Sequence, residues 1–457
     1  MRLAVLNRFD LGMPLGFVRS ANADLGGKKG MLFLYSDGHA TDPGEELFDY
    51  RGLKPVRIAV FQNDGTRLWE KTLPWGVIAG PWFVPAVPFD MDGDGIDEIY
   101  YVNNTGAPFS FMHRKLERLD GLTGEVTGVW HWPENTFNER LSLCYRFYIV
   151  AGYAHGEPVL VTCQGTYGNM YLQGWSRDME KRWETCIAAG DPGPRASHMT
   201  PVFDVNGDGV DELFWGERLI SLDDGREVLD YAPDYDGHSD VITPFLDYKT
   251  GKRYIYTCRE GGEAEGQKRV YTFRAEGGVA WSAVDHGHMH TGWGANILPG
   301  CRKVAMAMRE HFVPDDTGFN HEVDGVFYFD AFTGEPVDFR PAVRGDKLYP
   351  VDLDGDGYHE FFVGEGDDRP GDVLDREGRP VDHLPVGCFR IGKMLDHEGE
   401  QIMGVGRDGR SVEIWGDLDA KDGEIMKMRY REPYLRFMQK LMATGYNSVG
   451  SQAACGM

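Results

Sequence analysis

Three short acidic segments carry oxygen-bearing side chains at a fixed spacing. They read DMDGDGIDE from Asp90, DVNGDGVDE from Asp204 and DLDGDGYHE from Asp352. In each segment the first, third, fifth and ninth residues offer carboxylate or amide oxygens, and the glycine at the sixth position permits a sharp turn. Calcium prefers about six to eight hard oxygen ligands in such a wrap-around arrangement. The predicted Ca²⁺ ligands are Asp90, Asp92, Asp94, Glu98, Asp204, Asn206, Asp208, Glu212, Asp352, Asp354, Asp356 and Glu360.

The expected role of this calcium is structural. Each acidic segment leads directly into an apolar run typical of a strand, and the segments recur without regard to any one active site. An acidic turn without a metal ion is the alternative.

A second stretch, DHGHMHTGWG at 285–294, carries three alternating histidines. On a strand, alternate side chains lie on one face, so His286, His288 and His290 are expected to point the same way. A neutral imidazole suits a proton-transfer group near neutral pH, and we predict that role, or direct substrate contact, for His288 and His290. A transition-metal site and hydrogen-bonded structural histidines are the alternatives, since histidines two apart on a strand can share one metal.

Two sequence motifs alternate along the whole chain. One is a Gly- or Asp-containing turn followed at once by a strand, as in NDGTRLW from Asn63, and the other is the acidic loop leading into an apolar strand. Together they give eight units of roughly 45 to 65 residues. We therefore predict an all-β, eight-bladed β-propeller with calcium-binding acidic loops, formed by one domain over 1–457. Residues 426–457 are predicted to be a partly helical closing segment, and a seven-bladed ring is the alternative.

Composition and charge exclude several classes of partner. The chain has 457 residues and a formal net charge of -25, which argues against nucleic acid as a partner. No apolar run reaches the roughly 18 residues of a membrane span, so no membrane partner is expected. Seven scattered cysteines without a CxxC pair favour free thiols in a reducing compartment. The N-terminal residues lack the pattern of a signal peptide, so we expect a cytoplasmic protein, or a secreted one if the sequence is a trimmed mature form.

Several longer segments resemble one enzyme family. They include IAGPWFVPAVPFDMDGDGIDEIYYV, RFYIVAGYAHGEPVLVTCQGTYGNMYLQGW from Arg146, SHMTPVFDVNGDGVDELFWGERLISLDDG, DGHSDV and the C-terminal TGYN. These segments resemble the rhamnogalacturonan lyases of polysaccharide lyase family eleven, which are eight-bladed calcium propellers. The resemblance implies a carbohydrate-active enzyme that cleaves a rhamnose- and uronate-containing, pectic-type glycan by β-elimination.

The resemblance also implies a calcium site that contains histidine. Carried over by position, its ligands are His198, His238 and Glu260. Ligand chemistry alone favours a softer metal such as zinc for two imidazoles and a carboxylate. Polar residues that line the propeller mouth without a metal are the alternative.

The sequence departs from the family where arginines are expected. The relatives present an arginine in the segment matching HMHTGWGAN, and here that position falls near Thr291, beside His288 and His290. We expect these histidines to take over the role of that arginine, and Tyr167 to act as the acid toward the leaving oxygen. The predicted substrate contacts are Arg146, Gln164, Asn169, Arg259, Trp293 and Arg309, with the tryptophan ring suited to stacking on a sugar.

Two other functions remain open at this stage. A glycoside hydrolase needs an acid and a base that flank the scissile bond, and the sequence offers no obvious carboxylate pair outside the metal loops. A non-catalytic propeller that binds a glycan or a protein is the other alternative. The oligomeric state is not fixed by any of these patterns.

Overall fold

The computed structural model describes residues 1–41, 53–108, 110, 113–133, 146–260, 267–315, 318–366 and 368–447. Within them the chain forms eight antiparallel sheets that are arranged as the blades of a ring. The prediction of an all-β, eight-bladed propeller is confirmed, and the seven-bladed alternative is wrong. Residues 448–457 of the predicted closing segment lie outside the described residues.

The blades follow one another along the chain, each starting with its innermost strand. Blade 1 contains β2 (Phe17–Asp24), β3 (Lys29–Ser36), β4 (Arg57–Gln62) and β5 (Arg67–Thr72). Blade 2 contains β6 (Ala86–Phe89), β7 (Glu98–Asn104), β8 (Arg114–Leu119) and β9 (Val126–His131). Blade 3 contains β10 (Phe147–Ala154), β11 (Glu157–Gln164), β12 (Met170–Trp175) and β13 (Lys181–Ile187). Blade 4 contains β14 (Val202–Phe203), β15 (Glu212–Trp215), β16 (Arg218–Ser221) and β17 (Glu227–Asp230).

The second half of the ring continues the same order. Blade 5 contains β18 (Ser239–Leu246), β19 (Arg253–Arg259), β20 (Val270–Arg274) and β21 (Val279–Ala283). Blade 6 contains β22 (His288–Leu298), β23 (Arg302–Asp315) and β24 (Gly318–Asp330). A 3-10 turn (Gly345–Lys347) precedes blade 7, which contains β25 (Leu348–Val351), β26 (Glu360–Val363), β27 (Asp372–Leu374) and β28 (Pro380–His383). Blade 8 contains β29 (Gly387–Gly392), β30 (Gln401–Val405) and β31 (Ser411–Asp417), and β1 (Leu3–Asp10) is its fourth strand.

Closure of the ring pairs the first strand of the chain with the last strand of blade 8 in the sequence. The strand β1 pairs antiparallel with β31, with Leu3 opposite Asp417 and Asp10 opposite Ser411. The first strand of the sequence therefore completes the last blade as its outermost strand, which closes the ring.

Burial along the strands explains why these segments pack as blades. The inner strands β10 and β18 are buried almost throughout, whereas the outer strand β13 alternates between buried and exposed residues. An inner strand is covered on both faces by neighbouring blades, so it needs a nearly continuous apolar run, while an outer strand packs only one face. The large rings of Trp82, Trp132, Trp215 and Trp293 fill the spaces between blades.

The ring has two chemically different faces. We call the face where the innermost strands begin the histidine face, because His238 lies directly before β18 and His288 begins β22. The innermost strands end at the opposite face, where the acidic segments join β6 to β7, β14 to β15 and β25 to β26. We call this the acid-loop face.

The C-terminal segment connects the two faces through the centre of the ring. It forms α1 (Glu424–Arg431) and α2 (Pro433–Met438) at the acid-loop face. The Gln439 carbonyl then accepts a hydrogen bond from Asn22 N at 2.9 Å, and the Tyr446 N–H donates to the His198 carbonyl at 2.9 Å. The chain thus ends its described part at the histidine face. Neither helix of the described chain is long and apolar enough to cross a membrane.

Lys440 anchors this segment, which gives a test of its importance. Its Nζ lies 2.6 Å from Asp97 Oδ1 and 2.9 Å from Asp24 Oδ2, and the Asp97 side chain is fully buried. Lys440→Met leaves that carboxylate without its cation, so we expect the free energy of unfolding to fall by about 3 kcal/mol in urea titrations. The control is Lys427→Met on α1, where both partners of the ion pair are exposed, and its effect should stay below about 0.5 kcal/mol. Equal effects of the two substitutions would contradict the anchoring role.

Candidate functional site

Asp240 is the centre of a buried polar cluster at the histidine face. Its Oδ2 atom accepts hydrogen bonds from His288 Nε2 and His290 Nδ1, both at 2.7 Å. Its Oδ1 atom lies 3.4 Å from His238 Nε2 and 3.7 Å from His198 Nδ1. Four imidazoles therefore surround one carboxylate.

Three consecutive blades bring these side chains together. A parallel bridge between Ser197 and Ser239 holds the residues before β14 against the start of β18, which places His198 beside His238. In blade 6 the pairing of β22 with β23 shifts between Met289 and Thr291, so His290 is the extra residue of a β-bulge. Bulges often lie next to active sites, where they redirect a side chain.

The prediction for the three alternating histidines holds only in part. His288 and His290 meet the same oxygen of Asp240. His286 lies before the strand, its side chain is exposed, and its ring contacts Asp285 and Arg309 instead. Strand alternation therefore applies to the two histidines inside β22 and not to the one that precedes it.

The cluster separates the four imidazoles into two electrostatic classes. Burial lowers the pKa of His198 well below its usual value and that of His238 to about 3, despite the attraction of Asp240. Burial also acts to lower the pKa of His288 and His290, but hydrogen bonds to Asp240 outweigh it, and the pKa of His290 rises to about 9. Burial acts to raise the pKa of Asp240, yet the surrounding imidazoles hold it well below its usual value. An ionised carboxylate thus faces two neutral rings and two rings that favour the protonated form.

His290 is the member of the cluster that reaches the surface. Its side chain is 43% exposed, whereas those of His238 and Asp240 are buried. Because Nδ1 is hydrogen-bonded to Asp240, Nε2 is the nitrogen that gains or loses the second proton. Glu310 Oε1 lies 3.8 Å from His290 Nδ1 and 3.7 Å from His288 Nδ1, so a second carboxylate supports the pair.

The other half of the cluster has the features of a cation site. His238 Nε2 and Asp240 Oδ1 are buried and make no hydrogen bond, although buried polar atoms nearly always have partners. The ligand atoms of His198, His238 and Asp240 all lie within 4.8 Å of one another, and those of Asp240, His288 and His290 do so as well. The predicted group of His198, His238 and Glu260 is corrected, because Asp240 supplies the carboxylate that meets the two imidazoles.

Tyr167 and Glu260 border the cluster on its other side. The Tyr167 ring lies 4.6 Å from the His238 ring. Burial raises the pKa of Tyr167 well above its usual value, and the charge of Glu260 adds to that effect, so the phenol keeps its proton. Burial and the charge of Asp240 raise the pKa of Glu260.

Arg146 supplies a buried positive charge beside Tyr167. The residue is 7% exposed, and its guanidinium lies 4.8 Å from the centre of the Trp82 ring and 5.1 Å from that of Tyr167. Among the described residues its side chain makes no hydrogen bond or ion pair, and Nε is buried without a partner. A guanidinium held between two rings in this way is prepared for an anionic ligand.

Two predicted substrate contacts are packed away from any ligand. Trp293 is fully buried, and its Nε1 donates to the Gly345 carbonyl at 2.9 Å, so it belongs to the core between blades 6 and 7 and cannot stack on a sugar. Gln164 is also fully buried, and its Oε1 accepts a hydrogen bond from Trp132 Nε1 at 2.9 Å. The prediction that these two residues touch substrate is wrong.

The remaining predicted contacts already have protein partners. Arg259 is buried and bound to Glu217, with 2.5 Å between Nη2 and Oε2, so its charge is neutralised inside the protein. Arg309 is bound to Asp324 at 2.7 Å. The Asn169 side-chain oxygen accepts a hydrogen bond from Ala189 N at 2.8 Å. Of the predicted substrate-binding cations, Arg146 alone forms no ion pair among the described residues, although its charge acts on nearby Glu260.

The three acidic segments form the same loop. In each, the ninth residue accepts a hydrogen bond from the second N–H, and the first residue accepts one from the sixth. The hydrogen bonds of the first type are Met91 N to Glu98 (2.9 Å), Val205 N to Glu212 (2.9 Å) and Leu353 N to Glu360 (3.0 Å). Those of the second type are Gly95 N to Asp90 (2.9 Å), Gly209 N to Asp204 (2.9 Å) and Gly357 N to Asp352 (3.1 Å). The local sequence pattern is therefore sufficient to fix the local backbone.

These loops have the arrangement that can hold a metal ion. The carboxylate oxygens of Asp90, Asp92 and Asp94 lie within 4.8 Å of one another, as do those of Asp352, Asp354 and Asp356. Burial raises the pKa of Glu98 and of Glu212 to about 7. Asp352 Oδ1 is buried without a hydrogen-bond partner. Converging carboxylates with an unpaired buried oxygen fit a bound cation.

One cavity of the structure lies away from the histidine cluster. It measures about 1000 Å³ at the acid-loop face, and its lining includes Asp204, Tyr153, Arg253 and Lys440. Arg253 and Lys440 are already paired with carboxylates. The chemistry of the side chains therefore locates the candidate site better than cavity size does.

Comparison with known proteins agrees with this fold and with the sequence resemblance. No family model matches the chain. It is 27% identical over 243 residues to rhamnogalacturonan exolyase YesX of Bacillus subtilis (strain 168), covering 42% of this chain and 39% of that protein. It is 24% identical over 289 residues to rhamnogalacturonan endolyase YesW of the same strain, covering 53% and 44%. The chain is a divergent relative of rhamnogalacturonan lyases.

Solved structures extend the likeness over nearly the whole ring. The crystal structure of YesX superposes with a TM-score of 0.75 at 19% identity, covering 96% of this chain and 80% of that one. The Bacillus licheniformis rhamnogalacturonan lyase PL11 gives 0.74 at 17% identity, with 99% and 84% coverage. These values show a shared fold. The sequence matches, by contrast, span less than half the length of the two curated relatives.

Sequence reasoning missed Asp240 and Glu310. A usable signal for Asp240 was its position two residues after His238, at the start of the same innermost strand. Glu310 is paired with His288 across β22 and β23, and that pairing cannot be read from the sequence.

The burial of Trp293 gives a test of its corrected role. Trp293→Ala removes a fully buried ring, so we expect the free energy of unfolding to fall by about 3 to 5 kcal/mol in denaturant titrations. Trp75→Ala is the matched control, because Trp75 is 51% exposed. If Trp293→Ala kept wild-type stability and only weakened ligand binding, the assignment to the core would be wrong.

Proposed function

We propose that this protein is a lyase that cleaves a rhamnose- and uronate-containing, pectic-type glycan by β-elimination at its histidine face. The observation that carries the proposal is the buried guanidinium of Arg146, which forms no ion pair with another described residue and lies beside the cluster centred on Asp240. An anionic sugar is the ligand class that supplies the missing negative charge. The similarity to rhamnogalacturonan lyases supports the same substrate class.

The cluster supplies the groups that β-elimination needs. In this reaction the base takes the proton from the carbon next to the uronate carboxylate, a C=C bond forms, and the C–O bond to the leaving sugar breaks. Arg146 neutralises the carboxylate, which makes that proton more acidic. His290, whose pKa of about 9 leaves the ring neutral only in alkaline solution, takes the proton there through Nε2, and Asp240 stabilises the imidazolium that forms. Tyr167 donates its proton to the leaving oxygen.

We also propose that the acidic loops bind calcium with a structural role. Each loop presents oxygen ligands only, which is the chemistry that calcium prefers. The loops are at the opposite face of the ring from His290 and Arg146, so their ions act on stability and not on the proton transfer.

The reaction is tested with rhamnogalacturonan and its oligosaccharides as substrates. We expect new unsaturated ends that absorb ultraviolet light. His290→Ala should lower turnover by at least about a hundredfold with little change in melting temperature, because it removes a general base at the surface of the cluster. Arg146→Gln should mainly raise KM or lower kcat/KM, since it removes a charge-assisted contact to the substrate. His286→Ala is the control, because that exposed ring lies outside the cluster.

The products distinguish the alternatives. Cleavage without ultraviolet absorbance would identify a glycoside hydrolase and contradict the lyase proposal. Binding without any product would identify a non-catalytic propeller. A large loss of stability in His290→Ala, with residual activity in proportion, would assign that histidine to packing.

Calcium removal gives a separate prediction. An ion that binds only the folded state stabilises it by mass action, so a chelator should lower the melting temperature. Asp90→Ala and Asp352→Ala should each remove about one calcium equivalent per chain, measured by elemental analysis. Asp64→Ala changes a turn carboxylate outside the acidic loops and should keep the calcium content. An unchanged calcium content in both loop variants would contradict the assignment of calcium to the acidic loops.

A further inference from the structure

We propose that the histidine face holds a divalent transition-metal ion such as zinc, bound by His198 Nδ1, His238 Nε2 and Asp240 Oδ1. The family resemblance implies calcium at this place, and the donor atoms brought together here do not fit it. The inference goes beyond the proposed function, because it concerns the metal and not the substrate.

The donor set is the main argument. Two of the three converging ligand atoms are imidazole nitrogens, which suit zinc, copper, iron or nickel, whereas calcium takes about six to eight oxygens. The acidic loops provide the contrast within the same chain, since each has only oxygen donors. The protein therefore offers two kinds of metal site, one on each face.

The second oxygen of Asp240 is engaged elsewhere. Asp240 Oδ2 accepts hydrogen bonds from His288 and His290, both at 2.7 Å, so the carboxylate presents one oxygen to the ion. Hydrogen bonds of this kind to a ligating carboxylate are the usual outer support of a metal site. They fix the orientation of Asp240 before any ion binds.

The distances fit a small ion after minor adjustment. Asp240 Oδ1 lies 3.4 Å from His238 Nε2 and 3.7 Å from His198 Nδ1. Neighbouring ligand atoms about 2.0 to 2.1 Å from a tetrahedral zinc are about 3.4 Å apart. His238 Nε2 and Asp240 Oδ1 are buried and without hydrogen bonds, so the ion satisfies both.

Three protein ligands leave the ion with an open position. Structural zinc sites are closed by four protein ligands, whereas sites with three keep a place for water or substrate. When bound, the ion supplies Lewis acidity for an oxygen of the ligand. His238 also packs against the Tyr167 ring, which lies beside Arg146, so this position is close to the proposed carboxylate site.

The test uses Co²⁺ as a spectroscopic probe on the whole chain after chelation. A cobalt ion with two imidazoles and few ligands gives intense visible bands, while an octahedral all-oxygen site gives weak ones. We expect about one equivalent of intensely absorbing Co²⁺ per chain that excess Ca²⁺ does not displace. Zinc should remove the bands by competition. Elemental analysis of the purified protein without added metal gives an independent measurement.

Variants identify the ligands. Asp240→Asn and His238→Ala should abolish the bands, and circular dichroism should show that the propeller remains folded. Asp90→Ala should reduce only calcium content, and His383→Ala, an exposed histidine of blade 7, should leave the bands unchanged. Bands that are absent in the wild type, displaced by calcium, or retained in Asp240→Asn would overturn the proposal. These measurements need no substrate. If the lyase assay fails but the Co²⁺ absorption bands are present, the proposed function is rejected and the metal site is still supported.

Discussion

Antiparallel pairing of β1 with β31 is the constraint on which the rest of the structure depends. It closes eight sheets into a ring, and only a closed ring fixes each innermost strand between two neighbours. His198, His238 and His288 come from three successive blades, so their separation is set by the angle between blades. Residues at the two ends of the sequence thus control the geometry of a cluster formed in its middle.

The C-terminal segment adds a second constraint along the axis of the ring. Arg429 contacts Asp352 of the third acidic loop and Glu400, with 3.3 and 2.9 Å between the charged atoms. Lys440 reaches Asp97 of the first acidic loop, and Tyr446 packs on His198 at the other face. One continuous segment therefore touches the acidic loops and the histidine cluster, which links the stability of one face to the geometry of the other.

Charge is compensated in different ways on the two faces. The acidic loops concentrate carboxylates that repel each other, which a bound cation would offset. At the histidine face Asp240 is balanced by imidazoles, whose neutral or charged form depends on burial and on the hydrogen bonds they make. Arg146 differs, because its guanidinium stacks on Trp82 and Tyr167 and forms no ion pair with another described residue, although Glu260 is near enough for the two charges to interact. A cation in this position can bind an anionic ligand.

Features that depend on short-range spacing follow from the amino-acid sequence alone. The recurring turn and strand motifs predict the eight blades, and oxygen ligands at fixed positions predict the acidic loops. Both predictions are possible because hairpins and acidic loops are formed by residues close in the chain. The sequence also predicts that His198, His238 and His288 lie on one face of the ring, because each is near the start of an innermost strand. Only the tertiary structure decided which of these residues meet. Asp240 became the centre of the cluster, Arg259 was neutralised by Glu217, and Trp293 was buried in the core, because contacts between blades join residues far apart in sequence whose side-chain directions no local pattern specifies.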